Sequence, residues 1–232
     1  MEVLAAVAVL FGAVAQAVTG FGFSLVSAPF LVAAFGAPAG VQLNLGLSVG
    51  LNLILLVGGR RHLDARAAVR LLVPAVIATV VVGLLIRGSD TDGLTVVAGG
   101  LCFIGVVAVA RGRSIRRITG RLGTIVVGSL SGAINVAAGI GGPPVVLFGT
   151  TAGWSPEVAR PTLQLFFLGI NAVALVTLGP PDRIPGLLVP AIVVGLVLGQ
   201  VAARRLHADH VRVAVLLTAG AGSLLAVFRG LT

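Results

Sequence analysis

Two glycine-rich stretches have the residue types and spacing of an anion-binding site. Thr19-Gly20-Phe21-Gly22-Phe23 interrupts one long apolar block, and Gly139-Ile140-Gly141-Gly142-Pro143-Pro144 interrupts another. Prolines suit the first turn of a restarting helix, where no N–H bond is lost. The start of a helix carries partial positive charge and free N–H donors, and glycine lets an anion approach the backbone closely. We therefore interpret the two breaks as parts of one anion site; the alternative is that their glycines only allow close helix packing.

Amides and hydroxyls near the breaks supply further uncharged hydrogen-bonding groups. Gln16 and Asn135 each precede a break by about one helical turn, and we favour both as site-lining amides. For Asn52 and Asn171, lining the site and bonding neighbouring helices are equally good interpretations, because buried polar groups in a membrane face a cavity or another helix. The candidate substrate-binding residues are Gln16, Thr19, Gly20, Gly22, Ser24, Asn52, Asn135, Gly139, Gly141, Gly142, Arg160 and Asn171.

Arg160 is the one basic residue close to a break that stands outside an arginine cluster. It either attracts an anion, or forms a salt bridge or marks a cytoplasmic loop. The seven acidic residues lie at termini or between apolar blocks, so no buried carboxylate offers a proton relay. The chain contains no lysine, which excludes a Walker motif, and His207 and His210 are spaced at i, i+3 in a basic loop, where a metal site is not expected. We predict neither an enzyme nor a resident metal or cofactor.

The composition defines the elements that must position these residues. Of 232 residues, 57% are hydrophobic and 10% are charged, whereas soluble domains carry about 25% charged residues. A water-soluble or disordered protein is therefore excluded, and the long apolar blocks predict an all-α, polytopic integral membrane protein in a lipid bilayer. The predicted spans lie at about 41–57, 67–86, 93–110, 162–179, 187–203 and 211–228, beside broken segments at 3–35 and 122–153.

The order of these blocks predicts two homologous repeats, 1–110 and 122–232, joined by a basic linker at 111–121. Gln16 corresponds to Asn135, and Asn52 to Asn171, at one shared offset of 119 residues. The sequence LLVPA occurs at 71–75 and again at 187–191. Each repeat is predicted to hold one glycine-broken segment, either a re-entrant hairpin or a pair of short spans, followed by three spanning helices.

Charge in the loops predicts the orientation of the chain. All 16 basic residues are arginines, and twelve of them lie in 60–70, 111–121 and 204–212. Arginine-rich loops face the cytoplasm, and matching loops in the two halves have opposite charge bias. The repeats are therefore predicted to be inverted, as in many transporters, with both termini outside. Because the arginines flank membrane spans, we do not expect nucleic acid as a partner.

The two breaks resemble the signatures of a known family. The stretches 16–29 and 139–147 look like the paired signature repeats of the TauE/SafE (TSUP) family of sulfite exporters and sulfonate transporters, although Phe23 stands where the second break has Gly142. The resemblance covers essentially the whole chain. It implies a permease of a bacterial or archaeal inner membrane for a small sulfur oxyanion or organosulfonate, working by alternating access. A passive anion channel and a non-transporting scaffold are the alternatives; the exact substrate, its direction, its coupling ion and a homodimeric state stay open.

Overall fold

The computed structural model describes residues 1–88, 91–111, 120–203 and 208–231, and the regular elements within them are helical, which confirms the predicted all-α fold. A 3₁₀ turn at Arg60–His62 joins α3 to α4. The helices are α1 (Glu2–Thr19), α2 (Phe23–Phe35), α3 (Ala37–Gly59), α4 (Ala65–Ile86), α5 (Thr91–Arg111), α6 (Gly120–Ala138), α7 (Gly142–Thr151), α8 (Pro156–Leu178), α9 (Leu188–Ala202) and α10 (Ala208–Leu231). Most of the predicted linker, 112–119, lies outside the described residues, as do Asp90, Arg204, Arg205 and His207.

Seven of the described helices are long and apolar enough to cross a membrane, so the chain is a multi-span membrane protein. These are α1, α3, α4, α5, α6, α8 and α10. The helix that follows each break is short: α2 has 13 residues and α7 has 10. At 1.5 Å per residue they measure about 20 Å and 15 Å, below the roughly 30 Å of a hydrocarbon core.

Each glycine break reverses the chain, so each broken segment is a helical hairpin. A methyl group built on Gly12 of α1 would lie 2.9 Å from the carbonyl oxygen of Phe23 at the start of α2, although eleven residues of straight helix would separate the two by about 16 Å. In the second hairpin, Ser131 of α6 hydrogen-bonds the carbonyl of Gly141 just before α7. The second arm of each hairpin is shorter than a full span, and both alternatives predicted from the sequence, a re-entrant hairpin and a pair of short spans, contain such a reversal.

Contacts between residues fix the relative direction of the helices. Helices α4 and α6 run parallel, because Gly128 meets Leu71 and Gly132 meets Ala75. The same kind of contact makes α1 parallel to α9, through Leu10 and Gly195 and then Val14 and Gly199, and α2 parallel to α10, through Gly22 and Val215 and then Phe30 and Gly222. Since α1 and α2 are antiparallel, Met1 and Leu231 lie at the same end of the molecule.

The third helix of each half packs against its counterpart in the opposite direction. Gln42 near the start of α3 donates to the carbonyl of Leu178 at the end of α8, while Gly59 at the end of α3 faces Pro161 near the start of α8. The antiparallel pair α3 and α8 forms the centre of the molecule, and the two hairpins lie against it. Helix α8 begins at Pro156, six residues before the predicted start of that span, because Pro156 occupies the first turn, where proline removes no hydrogen bond.

Small residues allow the closest helix contacts. A methyl group at Gly195 would lie 2.5 Å from the carbonyl oxygen of Leu10, and one at Gly128 would overlap the carbonyl of Leu71. The packing role predicted for Gly128/Gly132 and Gly195/Gly199 is thus confirmed. Nothing lies within 4 Å of a methyl group at Gly50, so the spacing Gly46/Gly50 does not mark such a contact.

Candidate functional site

A cavity lies between the two hairpins and the middle of α3 and α8. Its volume is about 20 Å³, which is room for about one water molecule. Its lining residues come from both breaks and from both central helices: Gln16, Phe21, Gly22, Phe23, Ser24, Leu25, Ser48, Asn52, Asn135, Ile140, Gly141, Gly142, Phe167 and Asn171. The cavity therefore brings together residues that are more than a hundred positions apart in the sequence.

A chain of amides holds the first break in place. The carbonyl of Gly20 accepts a hydrogen bond from Nε2 of Gln164 at 2.8 Å, and Oε1 of Gln164 accepts one from Nε2 of Gln16 at 3.1 Å. Oε1 of Gln16 in turn accepts from the N–H of Phe23, the first residue of α2, at 3.1 Å, and its Nε2 also donates to Oδ1 of Asn52. Gln16 thus caps α2 and connects the hairpin to both central helices.

The second break is held by a similar set of amides. Nδ2 of Asn44 donates to the carbonyl of Gly139 at 2.9 Å, and Nδ2 of Asn135 donates to Oδ1 of Asn171 at 2.9 Å. The N–H of Gly141 donates to Oδ1 of Asn135 at 3.1 Å, which satisfies the turn that leads into α7. Each hairpin therefore has its turn carbonyl bound by an amide from the third helix of the other half.

These bonds follow the sequence correspondence between the two halves. The bond between Gln16 and Asn52 and the bond between Asn135 and Asn171 each join residues 36 positions apart. Gln16 and Asn135 also each accept a backbone N–H just after the break, from Phe23 and Gly141, although Gly141 corresponds to Gly22 at the offset of 119. The backbone requires glycine at both turns, because Gly20 and Gly139 have φ of 83° and 72°, in the left-handed region that side chains disfavour.

Free backbone donors face the cavity at the start of α2. The N–H of Phe23 is taken by Gln16, and the N–H of Val26 donates to the carbonyl of Gly22. Among the described residues, the N–H groups of Ser24 and Leu25 have no acceptor, as expected for a first helical turn. Both residues line the cavity, and the hydroxyl of Ser24 lies 3.4 Å from that of Ser48.

The cavity lining carries no ionisable side chain in the part of the chain that the structure describes. The acidic residues whose side chains are described, Glu2, Asp64, Glu157 and Asp182, are exposed. No group of three or more potential metal-ligating side chains occurs among the described residues. Every buried side-chain nitrogen or oxygen that is described has a hydrogen-bond partner. The site can therefore offer an anion hydrogen bonds and helix dipoles, without a fixed opposite charge.

The predicted site residues occupy three kinds of position in the structure: the cavity lining, the turns beside it, and a place outside it. The cavity is lined by Gln16, Gly22, Ser24, Asn52, Asn135, Gly141, Gly142 and Asn171. Thr19, Gly20 and Gly139 form the turns beside it, with the hydroxyl of Thr19 bonded to the carbonyl of Ala15. Arg160 lies outside the cavity lining: its Nη2 donates to the carbonyl of Val18 at 2.7 Å and its side chain packs against Gly20. It caps the end of α1, where a positive charge complements the helix dipole.

Sequence reasoning missed several residues that shape the site. Asn44 and Gln164 bind the turn carbonyls, while Ser48 and Phe167 line the cavity from the middle of α3 and α8. The sequence did contain a signal for Asn44 and Gln164, since both are amides inside apolar blocks. The repeat would not have paired them, because at the shared offset of 119 Asn44 matches Leu163 and Gln164 matches Leu45.

Comparison with known proteins gives one match. A family model described as "Sulfite exporter TauE/SafE" matches residues 4–225. That range contains both hairpins and every residue that lines the cavity. No curated protein and no solved structure matches the chain significantly.

Proposed function

The chain belongs to the TauE/SafE sulfite exporter family, whose members are membrane transporters for sulfite and related sulfur anions, and from this premise we propose that it carries a small sulfur oxyanion or organosulfonate through the cavity between the two hairpins. The single observation that carries the proposal is the convergence of both breaks on one polar, uncharged cavity. The substrate-binding groups are the cavity-lining amides, the hydroxyls of Ser24 and Ser48 and the free N–H groups at the start of α2.

The chemistry of the cavity suits a pyramidal or tetrahedral oxyanion. Each oxygen of such an anion accepts hydrogen bonds, and charge-assisted bonds are about twice as strong as neutral ones. The N–H groups of Ser24 and Leu25 and the partial positive charge of the α2 start supply donors without the desolvation penalty of a buried cation. Phe21, Phe23 and Phe167 supply apolar walls, which suit the carbon side of a sulfonate.

We propose that the two halves are inverted repeats that move against each other. The antiparallel packing of α3 on α8 and the equivalent amide bonds at both breaks support this relation. A cavity of about 20 Å³ is too small for a four-atom oxyanion, so loading requires the hairpins to part from α3 and α8. A small cavity with no charged lining favours a carrier over a permanently open pore.

We place the arginine-rich loops in the cytoplasm of a bacterial or archaeal cell, with both termini outside. The parallel packing of α4 and α6 supports this, because the loops that precede them, 60–70 and 111–121, then lie at the same end of the molecule. Helix α9 starts at the opposite end, after the arginine-poor segment 180–186.

Flux into proteoliposomes tests the proposal. The purified protein is reconstituted, radiolabelled sulfite uptake is measured against concentration, and sulfate, taurine, sulfoacetate and chloride are added as competitors. We expect saturable uptake that one class of sulfur anion inhibits and chloride does not.

If the uptake rate never saturates and rises with the concentration of every small anion tested, the protein is a channel and not a carrier. Absence of both uptake and anion binding by the folded protein would reject the assignment. The same uptake is compared for a glycine variant at the second break, Gly141→Leu, and for Gly50→Ala as its control, since no atom of the described residues lies within 4 Å of the methyl group added at Gly50.

A further inference from the structure

A wide crevice opens between α4, α6 and α7, away from the central cavity. Its volume is about 740 Å³, and it is lined by Arg70, Val73, Pro74, Gly120, Arg121, Thr124, Ile125 and Phe148. None of these residues lines the cavity between the hairpins. The crevice is therefore not part of the proposed transport site.

The crevice combines two cations with an apolar wall. Val73 and Ile125 expose 56% and 50% of their surface, and Phe148 of α7 is half-buried. Arg70 and Arg121 are exposed, and neither has a hydrogen-bond or ion-pair partner among the described residues.

No acidic side chain among the described residues neutralises these cations. No acidic residue lines the crevice in the described chain. Asp64, the acid at the start of α4, caps that helix by accepting from the N–H of Ala67 at 2.9 Å. Two guanidinium groups at the edge of an apolar crevice match the headgroup and acyl chains of an anionic lipid.

The position of the crevice agrees with the bilayer boundary. Because α4 and α6 run parallel and Gly128 lies level with Leu71, Arg70 and Arg121 both belong to the end of the bundle at which these helices begin. Arg121 is the second residue of α6, and Arg70 lies in the second turn of α4. The long arginine side chain lets the charge reach the interface while its stem lies along apolar surface.

An apolar cavity adjoins this crevice at Phe148. It has a volume of about 200 Å³ between α5, α6 and α7 and is lined by Leu130, Pro143 and Leu147, among others, and by Phe148, which also lines the crevice. It gives an acyl chain a route along the second hairpin to its break. The geometry points to a specific binding site for an anionic phospholipid, with the headgroup phosphate between Arg70 and Arg121 and one acyl chain along α6 and α7.

Native mass spectrometry of the full-length protein in micelles tests this site. Phosphatidylglycerol and phosphatidylcholine with identical acyl chains are titrated separately. We expect tighter binding of phosphatidylglycerol, and in Arg70→Gln/Arg121→Gln its affinity should fall about 25-fold, because each arginine near a membrane surface contributes about 1 kcal/mol to anionic lipid binding. Phosphatidylcholine binding should not change.

Two further variants keep the result interpretable. Arg66→Gln/Arg183→Gln removes the same charge from exposed arginines outside the crevice and should leave phosphatidylglycerol affinity within about threefold of wild type. Arg70→Lys/Arg121→Lys keeps the charge and should retain most of the affinity. Equal losses in the control and crevice variants, or no loss in either, would overturn the site. Displacement of the lipid by millimolar inorganic phosphate would also overturn it, since the crevice would then bind free anions.

Discussion

Replacing Gln164 by methionine tests whether the amide chain holds the first break. Gln164 is 2% exposed; its Nε2 donates to the carbonyl of Gly20 at 2.8 Å and its Oε1 accepts from Gln16 at 3.1 Å. Methionine keeps the length of the side chain but removes both bonds. Hydrogen bonds between membrane helices average about 0.6 kcal/mol, with a maximum near 1.7, so the two bonds together contribute about 1–3 kcal/mol. The buried carbonyl of Gly20 then lacks its partner, which favours the upper part of that range.

Gln42→Met is the matched control for this change. Gln42 donates one hydrogen bond, at 3.0 Å, to the carbonyl of Leu178 at the far end of α8, away from the breaks. The same chemical change there should lower the free energy of unfolding by no more than about 1.7 kcal/mol and leave sulfite uptake intact.

The assay combines equilibrium unfolding in mixed micelles with sulfite uptake into proteoliposomes. We expect Gln164→Met to lose more stability than Gln42→Met and to reduce the maximal uptake rate, because the turn at Gly20 is no longer fixed against α8. Equal losses of stability in the two variants, together with wild-type uptake by Gln164→Met, would refute the reasoning.

Three further results are expected. Gly141→Leu should abolish sulfite uptake while the protein still expresses, because even a methyl group there lies 2.7 Å from Ile170 and 3.0 Å from Asn135; normal uptake by the folded variant would remove the second break from the site. Ser24→Ala should raise the KM for sulfite by roughly ten- to a hundredfold, the range for a hydrogen bond to a charged group of about 1.5–3 kcal/mol, and an unchanged KM would exclude its hydroxyl from binding. Single cysteines at Asp64 and Arg183 should differ in labelling by an impermeant reagent added outside intact cells, with only position 183 reacting; equal labelling would contradict the proposed orientation.

The positions of the breaks and their amides were predictable because membrane burial makes polar groups conspicuous. Non-helical backbone inside a bilayer must be satisfied by protein or face a cavity, so glycine clusters within apolar blocks already marked places where helices end. Gln16 and Asn135 were identified from their spacing to those clusters. In the structure each caps the helix that follows its break, a bond that local sequence alone could define.

The partners of the turn carbonyls were not predictable in the same way. Asn44 and Gln164 come from the opposite half of the chain, and their contacts depend on how α3 and α8 pack. Arg160 illustrates the same limit: its charge and its place near a break allowed an anion contact, a salt bridge or a cytoplasmic loop position, whereas in the structure it caps α1 at Val18. A re-entrant hairpin and a pair of short spans both satisfy the charge pattern of the loops, so that pattern does not select between them.

The two hairpins are held by similar hydrogen bonds but differ in how closely neighbouring helices cover them. Helix α10 packs along α2, where Gly222 meets Phe30 and Arg229 donates to the carbonyl of Ala33 at 2.7 Å. Its counterpart α5 meets α7 near the break, where Gly105 faces Pro143, and further along it leaves the apolar cavity of about 200 Å³. If inverted repeats exchange conformations, the opposite state has α5 closed onto α7 and α10 parted from α2. Under the proposed alternating access, the difference between the hairpins is the asymmetry expected of one of the two states, and the crevice at Arg70 and Arg121 adjoins the less enclosed hairpin.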